Sequence, residues 1–214
     1  MLRTTLAALS LALLAYFVSA WLTHDHQVWT AEGARRLEVA LHPVPAPEVS
    51  VSGPGFETQA LPQLLAAGAP VTLVDFVYTR CQAVCLALGS GFQQLQAAIK
   101  ADAGRTGSPS RLKLLSISFD AEYDREEVLA RYAAGLKADP QIWRFARVAR
   151  TQELQRLLDR FEVVVIPDGI GGYEHNAALL VIDVQGRLVR IFDYAELDLA
   201  LAFARDLAEA GSPG

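Results

Sequence analysis

The sequence has little sulfur. Its 214 residues include two cysteines and one methionine. Two cysteines exclude a disulfide-rich scaffold and any four-cysteine zinc or iron–sulfur site. The one methionine is Met1, outside the folded region, which excludes methionine ligation there. Histidine is also scarce, with four in the chain. Charge is low at 20% of residues, too little for polyelectrolyte behaviour, and with 52% hydrophobic residues it rules out a largely disordered chain. Basic residues are not in excess: 19 Lys and Arg against 24 Asp and Glu give a net charge of -5. The pI near 5.4 argues against a nucleic-acid footprint. Apolar side chains are abundant, with a mean hydropathy of +0.23, and much of that excess lies at the N-terminus. The length suits one domain with a real core plus an extra segment.

Residues Thr5 to Leu22 carry no charge. As a helix they span about 27 Å, enough for a bilayer core. Arg3 precedes the run, and Asp25 and Glu32 are the first acids after it. This asymmetry places the N-terminus in the cytoplasm and the remainder beyond the membrane. An uncleaved anchor is the favoured reading, with Trp21 at an interfacial position. A cleaved signal peptide is the alternative, with Val18-Ser19-Ala20 as a small-residue cleavage site. The expected division is a transmembrane anchor or signal segment at 1–23, a tether at 24–47 and a folded domain at 48–211.

In the tether a short helix is expected over Ala31 to Ala40, capped by Thr30. HPVPAPE (His42 to Glu48) reads as a proline-stiffened linker. VTLVDFVY (71–78) and LKLLSISF (112–119) are continuous apolar runs of the buried-strand kind. A helix of about 84–100, ending near Gly104, separates them. Asp124, with Glu127 three residues on, is expected to cap the helix of DREEVLARYAAGLK. Thr151 is expected to cap TQELQRLLDRF. NAALLVID and RLVRIFD flank Gln185-Gly186 as a hairpin, and 195–210 form an amphipathic helix. No internal repeat is present. The order predicts an α/β fold, a central mixed sheet flanked by helices, with an N-terminal transmembrane helix. A thioredoxin-like layout fits that order.

Cys81 and Cys85 lie where a buried strand passes into a helix. First-turn amides and the helix dipole favour thiolate over thiol there, and Arg80 adds a positive charge. A reactive thiol pair is expected, against the blander reading of a structural disulfide or two small core residues. The spacing is C-x-x-x-C, not the C-x-x-C of thioredoxin redox sites. His24, His26 and His42 fall in the tether. His175 alone lies in the folded region, after DGIGGYE and before a strand, where open α/β sheets place functional crevices. Two thiolates and an imidazole form a soft donor set that suits copper. Zinc would accept the same donors but wants a fourth position filled. A loop histidine bonded to backbone is the alternative for His175. His24-Asp25-His26 is weighed as a weaker copper-capture site on the tether.

VDFVYTRCQAVC, SISFDAEYDREEVLARYAAGL and EHNAALLVIDVQGRLVRIFD resemble three elements of the Sco/SenC family of copper-binding proteins, in the same order and at matching separations. The resemblance covers roughly Val71 to Asp193. It implies a thioredoxin-like fold and copper, Cu(I) or Cu(II), bound by Cys81, Cys85 and His175. It also implies a partner, cytochrome c oxidase subunit II or another copper or thiol protein. There are departures. Gln82, Ala83 and Leu86 replace residues usual around the cysteines. Val49 to Leu61 lacks a clear version of the family's opening hairpin.

Asp75 lies six residues before Cys81, as in the VDFWAxWC pattern of thioredoxins, where the aspartate helps proton transfer. In an apolar strand its pKa should be raised. A purely structural carboxylate is the alternative. Asp120, Glu122 and Asp124 are read as a solvated loop before a helix, with partner docking as the sharper reading.

Three functions follow. The first is a tethered copper chaperone, a binding protein rather than an enzyme. The second is a thiol–disulfide oxidoreductase using the Cys81–Cys85 pair with Asp75 as proton shuttle. The third, a peroxidase, finds little support in the residues around Cys81.

Overall fold

The computed structural model describes residues 2–23, 25–68, 70–81, 84–169 and 171–210, with the backbone alone described for Leu2, 84–88 and Thr151. The chain divides into two compact units, Met1–His42 and Pro43–Gly214.

The first unit holds α1 (Leu2–Leu22) and α2 (Ala31–Leu41). Helix α1 is long and apolar enough to cross a membrane, and is a candidate span by length and composition. Helix α2 starts as expected: the Thr30 hydroxyl accepts from the Gly33 amide at 3.0 Å. His24 lies outside the described residues. His26 stacks on Trp29 and tilts against Tyr16, with ring centroids 5.8 and 5.5 Å apart.

The second unit runs β1 (Val44–Pro45), β2 (Ser50–Gly53), β3 (Phe56–Ala60), α3 (Leu61–Ala66), β4 (Val71–Val77), α4 (Val84–Thr106) and β5 (Leu112–Ser118). It continues with α5 (Glu126–Gly135), β6 (Trp143–Val148), α6 (Thr151–Arg160), β7 (Val165–Pro167), β8 (Tyr173–His175), β9 (Ala178–Ile182), β10 (Arg187–Asp193) and α7 (Leu197–Ala210). Eight strands form one mixed sheet in the order β1-β10-β9-β4-β5-β6-β2-β3. Strands β4, β5 and β6 are parallel, and the outer pairs are antiparallel. Strands β7 and β8 stand apart as a two-stranded ribbon.

All seven residues of β4 are buried, as its unbroken apolar run requires when both faces are covered. The pleat sends Val71 and Leu73 into one core with Phe92, Leu95 and Ile99 of α4 and Ala200 and Ala204 of α7. On the opposite face Phe76 meets Phe161, just past α6, edge to face at 6.4 Å. Each fully buried Leu, Ile or Phe contributes about 1.5–3 kcal/mol, so these two layers set the sheet's register.

Several elements differ from the sequence reading. The opening hairpin is present: β2 and β3 pair antiparallel with a register shift between Val51 and Gly53. That irregularity is why no clean alternation marks it. His42 to Glu48 is not simply a linker, because Val44 and Pro45 pair with Leu188 and Arg187 at the sheet edge. Pairing through carbonyls at an edge is what strand prolines permit. Strand β6 was not expected, because Arg144 and Arg147 interrupt its apolar pattern. Helix α4 runs past Gly104 to Thr106, and ends before Gly107, whose φ of 67° suits a terminating glycine. Arg150, not Thr151, is the cap residue of α6, and Thr151 is its first helical residue. The β9–β10 hairpin turns at Gly186, with φ 75°, as the Gln185-Gly186 pair predicts.

Candidate metal centre

Strand β4 ends at Val77, and a short turn leads through Tyr78, Thr79, Arg80 and Cys81 into α4. Cys81 is half-buried, and its amide donates to the Tyr78 carbonyl at 3.2 Å. Cys85 is the second residue of α4, in the turn whose amides have no helical partner. Its side chain lies outside the described residues, as do Gln82 and Ala83. Among the described residues no three His, Cys, Asp or Glu side chains converge as a metal cluster.

The turn is fixed from below by Asp124. Its carboxylate accepts from the Thr79 amide (3.0 Å), the Thr79 hydroxyl (2.5 Å) and the Ser118 hydroxyl (2.6 Å). Asp124 is fully buried and does not cap α5, whose cap residue is Arg125. Burial pushes its carboxyl above the usual range, opposed by the bonds from Ser118 and Thr79. Asp120 is buried too and holds Arg80 at 2.7 Å. The guanidinium lies 4.5 Å from the centre of the Tyr123 ring. Asp120 and Asp124 are therefore internal struts, neither solvated cap nor docking face. Glu122 is the exposed acid of the three. Arg80 raises the positive potential near the turn less than expected, because Asp120 neutralises it.

Asp75 is buried in β4, with 1% exposure, on the face that carries Val71 and Leu73. One carboxyl oxygen has no hydrogen-bond partner among the described residues. The carboxyl receives a hydrogen bond from Ser116, its neighbour on β5. Ser116 in turn accepts from the Trp143 indole N–H at 2.9 Å. Burial pushes the Asp75 carboxyl up to about 7, against the lowering effect of Ser116 and its own backbone. The raised pKa expected from the sequence is present.

His175 ends β8, opposite Val165 of β7. Among the described residues neither buried ring nitrogen has a hydrogen-bond partner, and the backbone bond of the alternative reading is not found there. Burial lowers the pKa of the imidazole, keeping it neutral. Phe119, one residue beyond β5, packs edge-on against the ring at 5.1 Å. Phe119, Tyr78 and Tyr173 form a mutual aromatic cluster with centroids 5.3 to 5.5 Å apart. The Tyr78 hydroxyl donates to the Tyr173 carbonyl and accepts from the Tyr173 amide, each at 3.2 Å. One residue therefore touches both halves of the site, three positions before Cys81 and across from a residue two before His175. Sequence reasoning missed this cluster. The available signal was an aromatic residue ending each of two buried strands and a third beside His175.

The arrangement defines a class: an α/β domain with a thiol-bearing turn at the mouth of its central strand and an imidazole carried in from a separate ribbon. The family model for SCO1/SenC matches residues 66–209, and the chain belongs to that family. A SCO1 protein homolog of Bacillus subtilis is 23% identical over 128 residues, covering 59% of this chain and 63% of the relative. The match thus spans just under two thirds of that relative's length. BsSco, a member of the Sco family of cytochrome c oxidase assembly proteins with an identified disulfide switch, superposes with a TM-score of 0.65. Identity is 18%, over 78% of this chain and 95% of that one. ScoI of Bradyrhizobium japonicum, solved with copper bound, gives 0.61 at 20% identity, over 76% and 99%. At these identities the structural likeness establishes the fold, the thioredoxin-like layout expected from the order of elements.

Proposed function

We propose that this protein is a membrane-tethered copper chaperone of the Sco type, with copper as its cargo and Cys81, Cys85 and His175 as its donors. The observation that supports this reading is His175: a neutral imidazole whose two buried nitrogens have no hydrogen-bond partner among the described residues. Leaving a buried polar atom unmade costs about 1–3 kcal/mol, a cost that a metal ligand recovers on loading. Thiolates and imidazole together favour copper over the hard cations. In this reading residues 1–23 anchor the chain and 24–42 tether it. The domain that begins at Pro43, with β1 already in its sheet, then works on the extracytoplasmic side of the membrane, in a periplasm or intermembrane space. Its partner is subunit II of cytochrome c oxidase or another copper or thiol protein, and tethering raises the local concentration of that partner. Oxidation of Cys81 and Cys85 to a disulfide removes both thiolate donors, so redox state gates loading.

The test is chelator competition on the reduced full-length protein in detergent, beside His175→Ala. One tightly held copper per chain, strongly weakened by His175→Ala, is expected. Weak binding indifferent to His175→Ala overturns the reading.

Asp75 favours a second reading, thiol–disulfide exchange on partner cysteines. A buried carboxyl with a pKa of about 7 can take up or release the proton that accompanies thiolate attack. In that case Asp75→Asn slows exchange with a small disulfide and leaves copper affinity unchanged. Equal exchange rates in the two proteins exclude the shuttle.

A further inference from the structure

The β7–β8 ribbon brings His175 to the site, yet it is not part of the eight-stranded sheet. An isolated two-stranded ribbon is at best marginally stable, so its position depends on what it is fastened to. Within the segment, Asn176 ties the ends: its side chain accepts from the Val164 amide at 2.8 Å and donates to the Glu162 carbonyl at 3.0 Å. Those bonds hold the ribbon's shape, not its place. The fastening to the cysteine turn is the Tyr78 phenol, buried at 6% exposure and hydrogen-bonded to both backbone groups of Tyr173. The backbone carbonyl of the same residue accepts from the Cys81 amide. Gly172 keeps this approach open. A Cβ there would lie 3.1 Å from the phenol oxygen and would collide with the Asp168 carboxylate. That carboxylate shapes the turn by accepting from the Gly172 amide at 2.8 Å.

We infer that the Tyr78 hydroxyl is a positioning group that latches the His175 ribbon to the cysteine turn and so sets the imidazole against the thiols. It does not touch the cargo. The phenol ring alone, which packs on Phe119 and Tyr173, fills the space. The hydroxyl fixes the register, because it reads one amide and one carbonyl of a single residue. The inference deepens the chaperone reading and rests on it for the role of His175, but the latch itself has readouts that need no metal.

The experiment compares wild type, Tyr78→Phe and Gly172→Ala as full-length protein in detergent. Tyr78→Phe removes one oxygen and keeps the ring. Loss of two neutral hydrogen bonds predicts roughly tenfold or greater acceleration of amide exchange at Tyr173. Carbethoxylation of His175 by diethyl pyrocarbonate, located by mass spectrometry, should change several-fold. Copper affinity should fall about tenfold, with an altered thiolate-to-copper absorption band, while alkylation of the cysteines stays within twofold of wild type. Gly172→Ala should move every readout in the same direction, and decides the matter if Tyr78→Phe does not fold. An unchanged Tyr173 amide overturns the latch. So does a faster amide with unchanged His175 modification, which makes the hydroxyl purely structural. If wild type holds no copper, the chaperone reading fails separately, and the amide and carbethoxylation rates still decide the latch.

Discussion

The two halves of the site are built in opposite ways. Beneath the cysteine turn, polar atoms are matched: three donors converge on Asp124, and Arg80 is held by Asp120 and covered by Tyr123. The His175 ribbon stands outside the main sheet, with Ile166 exposed on it, Val164 exposed just before it, and the imidazole nitrogens unmatched among the described residues. The turn is braced by bonds from Thr79 and Arg80 to Asp124 and Asp120 in the loop that follows β5. The ribbon is placed by aromatic packing and one hydroxyl. In the chaperone reading proposed above, a site that binds and then releases copper gains from this division. Cys81 lies on the braced turn, while His175 sits on an element whose displacement breaks few bonds.

Asp75 is the exception on the turn side, and it gives the largest predicted effect. Its folded pKa of about 7 lies above the ordinary aspartate value of 3.8. The folded state therefore holds a proton that the unfolded chain has released between about pH 4 and 7. Stability falls as pH rises through that window, by up to about 4 kcal/mol, and is level above it. Asp75→Asn cannot titrate and should flatten this decline. Urea unfolding of both proteins at pH 4.5, 6 and 8 measures the difference. The slope is the readout, because the asparagine amide leaves its own donor unmet and shifts absolute stability. Parallel curves would show that Asp75 titrates alike in the folded and unfolded chains, and burial would then leave its carboxyl unperturbed.

Asp124→Ala should come next. It strands the Thr79 amide and two hydroxyls in a buried layer, for a loss of about 3 kcal/mol in global stability. Thermal unfolding and Cys81 alkylation report it together. A loosened turn predicts a lower midpoint and faster alkylation. A midpoint unchanged within a degree would mean that the hydrogen bonds do not brace the turn, and the contrast between the halves would disappear.

The sequence shows the proposed donors more clearly than the means that hold them. Cys81, Cys85 and His175 are legible because few sulfurs and imidazoles exist to choose from, and each lies at a strand or helix junction. Strands β4, β5 and β9 are legible because continuous burial demands continuous apolar runs, and β10 because it follows the Gln185-Gly186 turn. Strand β6 is obscured by Arg144 and Arg147, and β7 and β8 by their shortness and the glycines between them. Asp124 looks like a helix cap, because an acid three residues before a glutamate is a local pattern. Its actual partners, Thr79 and Ser118, come from an adjacent turn and strand that only the parallel pairing of β4 and β5 brings near. Tyr78 looks like the end of an apolar strand, and its hydroxyl gains meaning only when a residue 95 positions away is beside it.

His175 provides the smallest effect and the sharpest contrast. Burial sets its folded pKa below the ordinary 6.5, so the unfolded chain takes up the proton first as pH falls. Stability is therefore present above pH 6.5 and lost as pH drops through the lowered folded value. This is opposite in sign to Asp75 over the same range, and the two partly mask each other in wild type. His175→Leu removes two unmatched nitrogens and replaces them with apolar surface, a change that is near neutral or mildly stabilising at pH 8 without metal. Below pH 6.5 it should protect, and the decline caused by Asp75 should stand out alone. Asp75→Asn should expose the reverse, a stability that rises with pH. Denaturant midpoints of the two variants and of the double variant, metal-free, from pH 4.5 to 8 separate these slopes. If His175→Leu instead costs stability at pH 8, the ribbon is held by its imidazole, and its nitrogens are scaffold like those beneath the turn.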